Sequence, residues 1–231
     1  MNALSPRLAA VAAMVPPGRV VADVGTDHAL LPIHLVREGI SPRAVAVEKA
    51  AGPLAAARRA VAAAGLAERI ALREGDGLAP LAPGEATVLV LAGMGGSTMA
   101  GILEAGPDVV AAAERLILQP MDYPAAVRRW LADHGWVPVD EQLAADAGRI
   151  YQVIGAERGD GRPLTPLELE VGPLLLEQGH PLLREYLAGL AQKYARILAE
   201  MARSRRPLPG RREITERLRA VREALRRLDN R

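Results

Sequence analysis

Acidic residues and glycines stand where short apolar runs of this sequence end. The stretch VADVGTDHALLP (21–32) carries Asp23, Gly25 and Asp27 between an apolar run and a helix-like segment. A turn of this kind brings backbone against a ligand at the carboxyl end of a strand. The two carboxylates repel a dinucleotide pyrophosphate, and the G-x-G-x-x-G pattern is absent, so a cationic ligand such as S-adenosylmethionine is favoured. The alternative is an ordinary turn in which Asp27 caps the helix.

Two further acids follow the next two apolar runs. Glu48 lies 23 residues after Gly25, a spacing suited to holding ribose hydroxyls, and the alternative is an exposed acid paired with Lys49. Asp76, within GDG (75–77), is placed to accept the exocyclic amine of adenine. The alternative there is an ordinary turn, because Asp-Gly is a common turn dipeptide. Together, Gly25, Glu48 and Asp76 predict a nucleoside site at the ends of three strands.

A glycine-rich stretch, LAGMGGSTM (91–99), follows the fourth apolar run. In an open α/β sheet this position faces the ligand crevice, and Gly93, Gly95 and Gly96 let a ligand approach the backbone closely. The competing interpretation is a phosphate loop, but the third glycine is missing and no GK[ST] follows. Glu114, about 20 residues on, precedes the fifth run instead of ending a strand, which weakens a dinucleotide site.

The four histidines show no spacing typical of metal ligands, and we predict no metal site. His34, His134 and His180 are expected to be structural or to lie at the surface. His28 differs because it follows Asp27 in the predicted crevice, where it could orient a substrate. The alternative for His28 is a role at the start of the helix.

Seven short apolar or β-branched runs predict seven β-strands. Helical stretches lie between the first five runs and again before the sixth, which predicts a parallel, doubly wound sheet. Only residues 144–148 separate the last two runs, so these are expected to form an antiparallel hairpin at the sheet edge. This order favours an α/β, Rossmann-like class I methyltransferase sheet over a dehydrogenase domain. The predicted strands are Val20–Val24, Ala44–Glu48, Ile70–Arg73, Thr87–Ala92, Arg115–Gln119, Trp136–Gln142 and Arg149–Ala156.

The pattern changes after residue 157. Apolar residues recur at alternating spacings of 4 and 3 in two segments, 183–201 and 214–228. Two such segments with a proline- and glycine-containing break between them predict an antiparallel coiled-coil hairpin of two helices. The sequence therefore predicts two domains, a cofactor-binding domain over 1–157 and a helical coiled-coil domain over 158–231.

Arginine is concentrated in the second predicted domain. Residues 1–156 hold 13 basic and 16 acidic residues, whereas residues 157–231 hold 16 basic and 11 acidic ones. The arginines that crowd the hairpin tip are placed to contact RNA phosphates. The alternative is the solvated face of a coiled coil. The tip arginines are Arg203, Arg205, Arg206, Arg211 and Arg212.

Composition excludes several classes of protein. The 231 residues are 50% hydrophobic and 24% charged, as in globular proteins, and none is cysteine. Disulfide scaffolds, thiolate zinc sites, iron–sulfur clusters and cysteine nucleophiles are thereby excluded. The apolar runs are shorter than the roughly 18 residues that span a bilayer, and the N-terminus lacks the layout of a signal peptide. We expect a cytoplasmic protein without a membrane partner, and we favour a monomer.

Several motifs resemble one family over nearly the whole chain. They are LSPRL (4–8), VADVGTDHALLP (21–32), EGDGL (74–78), LAGMGG (91–96), ERLILQP (114–120), DAGRIYQVI (146–154) and VGPLL (171–175). Together with the helical hairpin, they resemble the bacterial tRNA (adenine(22)-N1)-methyltransferases, the TrmK-like family. The resemblance implies a Rossmann-like domain, a C-terminal coiled-coil domain, S-adenosylmethionine as cofactor and no metal.

The residue patterns and the resemblance together predict three groups of site residues. Asp27 is the candidate that stabilises the cationic methylated base, with assistance from His28. The predicted cofactor-binding residues are Asp23, Gly25, Glu48, Lys49, Asp76, Gly77, Gly93, Met94 and Gly95. The predicted substrate-binding residues are Arg7, Gly96, Gln119, Pro120, Arg205, Arg206, Arg211 and Arg212.

The chain departs from the family at two of these motifs. Met121 stands where the family often has Asn, so a polar contact from that position to the target base is lost or moved. Thr26 stands where Ser is frequent and keeps the hydroxyl.

The predicted reaction is methyl transfer from S-adenosylmethionine to N1 of adenine 22 in tRNA. Adenine N1 has a lone pair, so the reaction needs no cysteine adduct. One alternative is a class I methyltransferase with a small-molecule or protein acceptor, in which the basic hairpin is a dimerisation arm. The other is a non-catalytic RNA-binding protein with a vestigial cofactor domain.

Overall fold

A computed structural model describes residues 4–203 and 210–229 of the chain. It divides into two compact units, Met1–Gly161 and Arg162–Arg231. The strands are β1 (Val21–Val24), β2 (Ala44–Glu48), β3 (Ile70–Glu74), β4 (Val88–Met94), β5 (Arg115–Pro120), β6 (Trp136–Asp146) and β7 (Arg149–Arg158). The helices of the first unit are α1 (Pro6–Ala13), α2 (Leu30–Arg37), α3 (Ala51–Ala63), α4 (Gly96–Ala105), α5 (Pro107–Ala111) and α6 (Pro124–Asp133). Those of the second unit are α7 (Pro166–Val171), α8 (Pro173–Gln178), α9 (Leu183–Arg203) and α10 (Arg211–Asp229).

The seven strands form one sheet in the order β3-β2-β1-β4-β5-β7-β6. Strands β1 to β5 are parallel, and β7 pairs antiparallel with both β5 and β6. The predicted class, a parallel doubly wound sheet with an antiparallel terminal hairpin, is confirmed. A buried ion pair joins α6 to the hairpin of β6 and β7, since Arg128 Nη2 lies 2.6 Å from Glu141 Oε1 and both side chains are fully buried.

Both faces of the sheet are covered, and alternate residues of a strand point to opposite faces. Leu89 and Leu91 of β4 belong to an apolar cluster that includes residues of α4 and α6. Val88 and Val90 of the same strand belong to a second cluster, which includes residues of α1 and α2. Strands buried on both faces consist almost wholly of apolar residues, which is why the sequence reveals them clearly.

The prediction of a helix between β3 and β4 is wrong, because residues 75–87 form turns in the structure. Pro80 and Pro83 explain the difference, since proline lacks the backbone donor and disfavours helical geometry in the residue before it. An ion pair between Arg73 and Glu85 joins the end of β3 to this segment.

The hairpin turn is shorter than residues 144–148. Strand β6 continues to Asp146, and only Ala147 and Gly148 connect it to β7. These two residues have φ of +48° and +73°, as a two-residue hairpin turn of type I′ requires.

The second unit contains the predicted helical hairpin. Helices α9 and α10 run antiparallel, and Arg184 Nε near the start of α9 donates to Asp229 Oδ1 at the end of α10, over 2.9 Å. Leu187 and Tyr194 of α9 and Val221 of α10 are buried at the predicted heptad positions. No helix within the described ranges combines the length and the apolar character needed to cross a bilayer.

Candidate functional site

The parallel strands bring the predicted site residues to one edge of the sheet, where their carboxyl ends meet. Gly25 follows β1, and Glu48 is the last residue of β2. Asp76 follows β3, Gly93 lies near the end of β4, and Gln119 lies near the end of β5. This edge is therefore the candidate site.

Glu48 fixes the loop that follows β1. Its Oε2 accepts the backbone N–H of Asp27 over 3.1 Å, and its Oε1 accepts that of Ala50 over 2.9 Å. Gly25 has φ of +77°, a backbone conformation that favours glycine, and an added Cβ would lie 2.9 Å from the flexible end of the Met94 side chain. A carboxylate has about four lone-pair positions, and Glu48 keeps about two for a ligand.

Asp27 does not cap α2, so that alternative is wrong. The N-cap residue is Ala29, which makes no side-chain capping bond, and both Asp27 and Ala29 have positive φ, at +52° and +55°. The Asp27 carboxylate is 65% exposed, and its Oδ1 lies 3.5 Å from Nε2 of His28, which is also exposed. Backbone strain of this kind is typical of functional sites.

Asp23 is the buried acid of the site, with only 5% of its surface exposed. Its Oδ2 accepts a hydrogen bond from the Thr26 hydroxyl over 2.6 Å, which is the hydroxyl that this chain keeps in place of Ser. Burial raises the pKa of Asp23, the Thr26 hydrogen bond lowers it and the charge of Glu48 raises it, and the net effect is a pKa of about 6. A cation beside Asp23 would favour its ionised form.

Asp76 and Lys49 form an ion pair at the rim. Lys49 Nζ lies 2.6 Å from Asp76 Oδ2, and both side chains are largely exposed. An exposed pair of this kind contributes about 0–1 kcal/mol and rearranges easily. Gly77 follows with φ of +56°, where an added Cβ would lie 3.1 Å from Ile102.

The side-chain amide of Gln119 joins three segments. Gln119 is fully buried, and its Oε1 accepts both the Gly93 N–H, over 3.0 Å, and Arg7 Nη1, over 2.5 Å. Its Nε2 donates to the Pro120 carbonyl over 3.0 Å. These contacts bring Arg7, Gly93, Gln119 and Pro120 together, although Arg7 is 112 positions from Gln119 in the sequence.

Asp122 and Tyr123 border the candidate site, and neither residue was predicted from the sequence. The Gly96 N–H donates to the Asp122 carbonyl over 3.1 Å, and an added Cβ at Gly96 would lie 2.3 Å from the Tyr123 carbonyl oxygen. A Cβ at Gly95 would lie 3.0 Å from Asp122 Oδ1. Tyr123 has φ of +44° and is 44% exposed. The available signal was a polar and aromatic pair that begins two residues after the end of β5 and directly precedes a proline.

A cavity of about 200 Å³ opens at this edge. Its lining includes the predicted residues of the β1 loop, together with Arg7 and Gly93. The other predicted residues at this edge lie outside the lining, namely Glu48, Lys49, Asp76, Gly77, Met94, Gly95, Gly96, Gln119 and Pro120. The lining residues are Arg7, Leu8, Asp23, Gly25, Thr26, Asp27, His28, Leu30, Leu31, Ala92 and Gly93. Among the residues described, no cluster of three or more His, Asp or Glu side chains is arranged to hold a metal ion.

The predicted tRNA-binding arginines belong to the second unit. Arg211 and Arg212 open α10 and are exposed, and Arg212 Nε donates to Glu216 Oε1 over 2.9 Å. Arg205 and Arg206 lie outside the described residues.

Comparisons with known proteins identify the family. A family model described as a methyltransferase domain matches residues 4–154. The curated tRNA (adenine(22)-N(1))-methyltransferase of Bacillus subtilis is 43% identical over 157 residues, which are 68% of this chain and 66% of that protein. The structure of the B. subtilis M1A22 tRNA methyltransferase TrmK matches with a TM-score of 0.88 at 33% identity, covering 97% of this chain and 100% of that one. This chain belongs to the TrmK-like family.

A second solved structure supports the same assignment. A Streptococcus pneumoniae protein, in complex with S-adenosyl-L-methionine, is 36% identical, with a TM-score of 0.87 and coverage of 96% of this chain and 100% of that one. In this TrmK-like chain, Met121 belongs to the Gln119 network, because Gln119 Nε2 lies 3.8 Å from Met121 Sδ. The backbone N–H of Met121 donates to the Met94 carbonyl over 2.9 Å.

Proposed function

We propose that this protein transfers the methyl group of S-adenosyl-L-methionine to N1 of adenine 22 in tRNA. The proposal rests on the acidic cavity at the carboxyl edge of the sheet, with the buried Asp23 in its lining, in a chain of the TrmK-like family. The B. subtilis relative is named for this reaction, and the S. pneumoniae protein binds this cofactor.

The cavity suits the methionine part of the cofactor. Asp23 and Asp27 line it, and the sulfonium and ammonium groups are cations that such carboxylates attract. The volume of about 200 Å³ is below the roughly 300–1,000 Å³ of sites that enclose a whole small molecule. We therefore assign the cavity to the amino acid part and the sulfonium, and the rim of the sheet edge to the adenosine part.

The rim residues supply the nucleoside contacts. Glu48 keeps lone pairs for the two ribose hydroxyls while it holds the Asp27 and Ala50 amides. Asp76 accepts the exocyclic amine of the cofactor adenine, exchanging its exposed Lys49 partner for it.

The chain catalyses the reaction by positioning and by electrostatics. When bound, the cofactor supplies an electrophilic methyl group. Gly93 presents backbone without a side chain in the cavity lining, whereas Gly95 and Gly96 make room for Asp122 and the Tyr123 carbonyl, which border the proposed slot for the target base. Methylation at N1 makes the base cationic, and the exposed Asp27 carboxylate stabilises that charge, with His28 orienting it. A stacked adenine must first be extruded, at a cost of a few kcal/mol.

The helical unit binds the tRNA backbone. Its exposed Arg211 and Arg212, with Arg205 and Arg206 from the sequence, contact phosphates. A tRNA substrate places the activity in the cytoplasm. We propose a monomer as the active form.

The decisive experiment uses purified protein, labelled S-adenosyl-L-methionine and unmodified tRNA with adenine at position 22. A matched tRNA with guanine at position 22 is the control. We expect label on N1 of that adenine and none on the control tRNA. Cofactor binding without transfer to any tRNA would refute the proposal and favour a different acceptor.

A second experiment separates the alternatives. Replacing Arg211 and Arg212 by Gln is expected to weaken tRNA binding and to flatten its salt dependence, while cofactor affinity stays constant. Unchanged tRNA binding would show that the hairpin is not the RNA-binding arm. A protein that binds tRNA but not the cofactor would be the non-catalytic alternative.

A further inference from the structure

Two arginines of the first unit share one aromatic ring. The Arg7 guanidinium lies 5.8 Å and the Arg149 guanidinium 5.3 Å from the centre of the Tyr151 ring. Arg7 belongs to α1 and Arg149 is the first residue of β7, so two distant parts of the chain form this arginine–tyrosine cluster. Tyr151 is buried, whereas Arg149 is exposed. The ring attracts each cation and restricts where its guanidinium lies.

The cluster lies beside the proposed slot for the target base. Arg7 lines the cavity and donates to the Gln119 oxygen that also accepts the Gly93 N–H. Its guanidinium is thereby fixed from two sides, by an amide oxygen and by an aromatic ring. Less side-chain entropy is lost when an already ordered guanidinium binds a ligand.

Strand β7 carries the second arginine past the end of β5. The two strands are antiparallel, and their pairing includes Leu118 opposite Ile154. Continuing this register places Tyr151 opposite Met121, one residue beyond the end of β5, and Arg149 further out. The start of β7 therefore forms a wall at the carboxyl edge of the sheet. Neither Arg149 nor Tyr151 lines the cavity.

Neither guanidinium of the cluster forms an ion pair within residues 4–203 and 210–229, even though Asp146 lies opposite Arg149 in the hairpin. In contrast, Arg115 on the neighbouring strand pairs with Glu157 over 2.7 Å. Two fixed and unpaired guanidiniums on one ring repel each other, and an anion between them or beside them relieves that repulsion.

We propose that Arg7 and Arg149, held on Tyr151, bind a phosphate of the RNA backbone next to the target adenine. The proposal rests on the proposed function. The planar guanidinium matches phosphate geometry and donates to two oxygens at once. Arg149 is exposed and lies outside the cavity, so a macromolecular phosphate fits it better than the carboxylate of the cofactor does. This phosphate contact would position the extruded nucleotide, while the helical unit supplies contacts elsewhere on the tRNA.

The test compares Arg149→Gln with a matched control, Arg43→Gln. Arg43 is an exposed arginine that directly precedes β2, at the opposite edge of the same sheet. For both variants, tRNA binding is measured between 50 and 200 mM KCl, and cofactor binding is measured by calorimetry. For Arg149→Gln, we expect tRNA affinity to fall about three- to tenfold and the slope of log K against log salt to lose about one unit. Cofactor affinity is expected to match the wild type.

Tyr151 variants test the role of the ring. Tyr151→Phe keeps the ring and is expected to bind tRNA like the wild type. Tyr151→Leu removes the ring under both guanidiniums and is expected to weaken tRNA binding at least as much as Arg149→Gln does. The double variant of Tyr151→Leu and Arg149→Gln is expected to be no weaker than Tyr151→Leu alone. Fully additive effects would refute the role of the ring in holding Arg149.

The outcomes separate this proposal from the proposed function. If the wild type methylates adenine 22 and Arg149→Gln keeps the tRNA affinity and salt slope of Arg43→Gln, the phosphate site is refuted and the methyltransferase proposal stands. If Arg149→Gln weakens cofactor binding and leaves tRNA binding unchanged, the cluster serves the cofactor carboxylate and the phosphate site is again refuted. If the wild type binds tRNA without methylating it, the Arg149 effect on tRNA affinity still decides the phosphate site.

Discussion

Ionisation of the buried acid Asp23 lowers the stability of the folded protein but is expected to favour cofactor binding. Its pKa is raised from 3.8 to about 6 because burial disfavours the charged form. The folded protein therefore holds this proton more tightly than the unfolded chain does. The contribution of Asp23 to the free energy of unfolding falls as pH rises from about 4 to about 6, and it is constant above that window. At about 1.4 kcal/mol per pKa unit, the loss is about 3 kcal/mol.

The substitution Asp23→Asn removes the ionisable group and, with it, this loss in the free energy of unfolding. The Asn side-chain oxygen can still accept the Thr26 hydroxyl bond, which is 2.6 Å long in the wild type. Without ligand, we expect the variant to be more stable than the wild type at pH 7.5 by up to about 3 kcal/mol, and to lose this advantage as pH falls from about 6 to about 4. Urea unfolding at several pH values from about 4 to about 8 measures the difference. Asp133→Asn, at an exposed position, is the control, for which we expect no such trend.

Cofactor binding is expected to change in the opposite direction. A cationic ligand binds the ionised form of Asp23, so wild-type affinity should rise with pH through about 6 and then level off. Asp23→Asn should bind at least tenfold more weakly at pH 7.5, with no step near pH 6. If the variant were no more stable than the wild type at pH 7.5 and bound the cofactor equally well, the account of Asp23 as a buried carboxylate that faces a cation would be refuted.

Three further substitutions test the site and its support. Glu48→Ala should weaken cofactor binding about tenfold or more in calorimetry, because it removes the proposed ribose acceptor and leaves two loop amides without theirs; unchanged affinity would contradict the ribose assignment. Gly96→Ala places a Cβ 2.3 Å from the Tyr123 carbonyl oxygen and should reduce methyl transfer at least tenfold, whereas Gly101→Ala in the same helix meets no atom within 4 Å and should not. Glu141→Gln removes the carboxylate charge that pairs with the buried Arg128 of α6 and should lower the free energy of unfolding by about 3–5 kcal/mol in urea titrations, with a smaller change arguing against a tightly coupled pair.

The sheet could be predicted from sequence because its strands are buried on both faces. Their apolar runs are nearly continuous, and Val21–Val24 is buried at every position. The segment between β3 and β4 was harder, because its alanines and leucines are typical of helices while Pro80 and Pro83 prevent one. The prediction of a helix rested on the composition of this segment, whereas the backbone restrictions of the two prolines determine its structure.

The candidate site was only partly predictable. Glu48 and the glycines could be inferred because they lie at or just after the ends of strands, and all parallel strands end at one edge. The link from Arg7 through Gln119 to Gly93 could not, because it depends on the register that places Ala92 of β4 opposite Gln119 of β5. No local spacing encodes that register. The αL conformation of Tyr123 depends likewise on its contact with Gly96.

We propose that the charges at the site edge serve two ligands of opposite sign. Asp23 and Asp27 lie in the cavity, whereas Arg7 and Arg149 share the Tyr151 ring beside it. Contacts with RNA phosphates release counterions and are steeply weakened by salt, whereas a buried charge pair is little screened. Between 50 and 200 mM KCl, we expect tRNA affinity to fall at least tenfold and cofactor affinity to change less than about twofold.

Filter binding for tRNA and calorimetry for the cofactor, in the same buffers, make this comparison. A non-ionic osmolyte at matched osmolality controls for effects of water activity. Parallel losses of both affinities would contradict the separation of charges, because they would mean that salt acts on a surface common to both ligands. A salt-insensitive tRNA affinity would instead mean that hydrogen bonds or stacking, and not the arginines, hold the RNA.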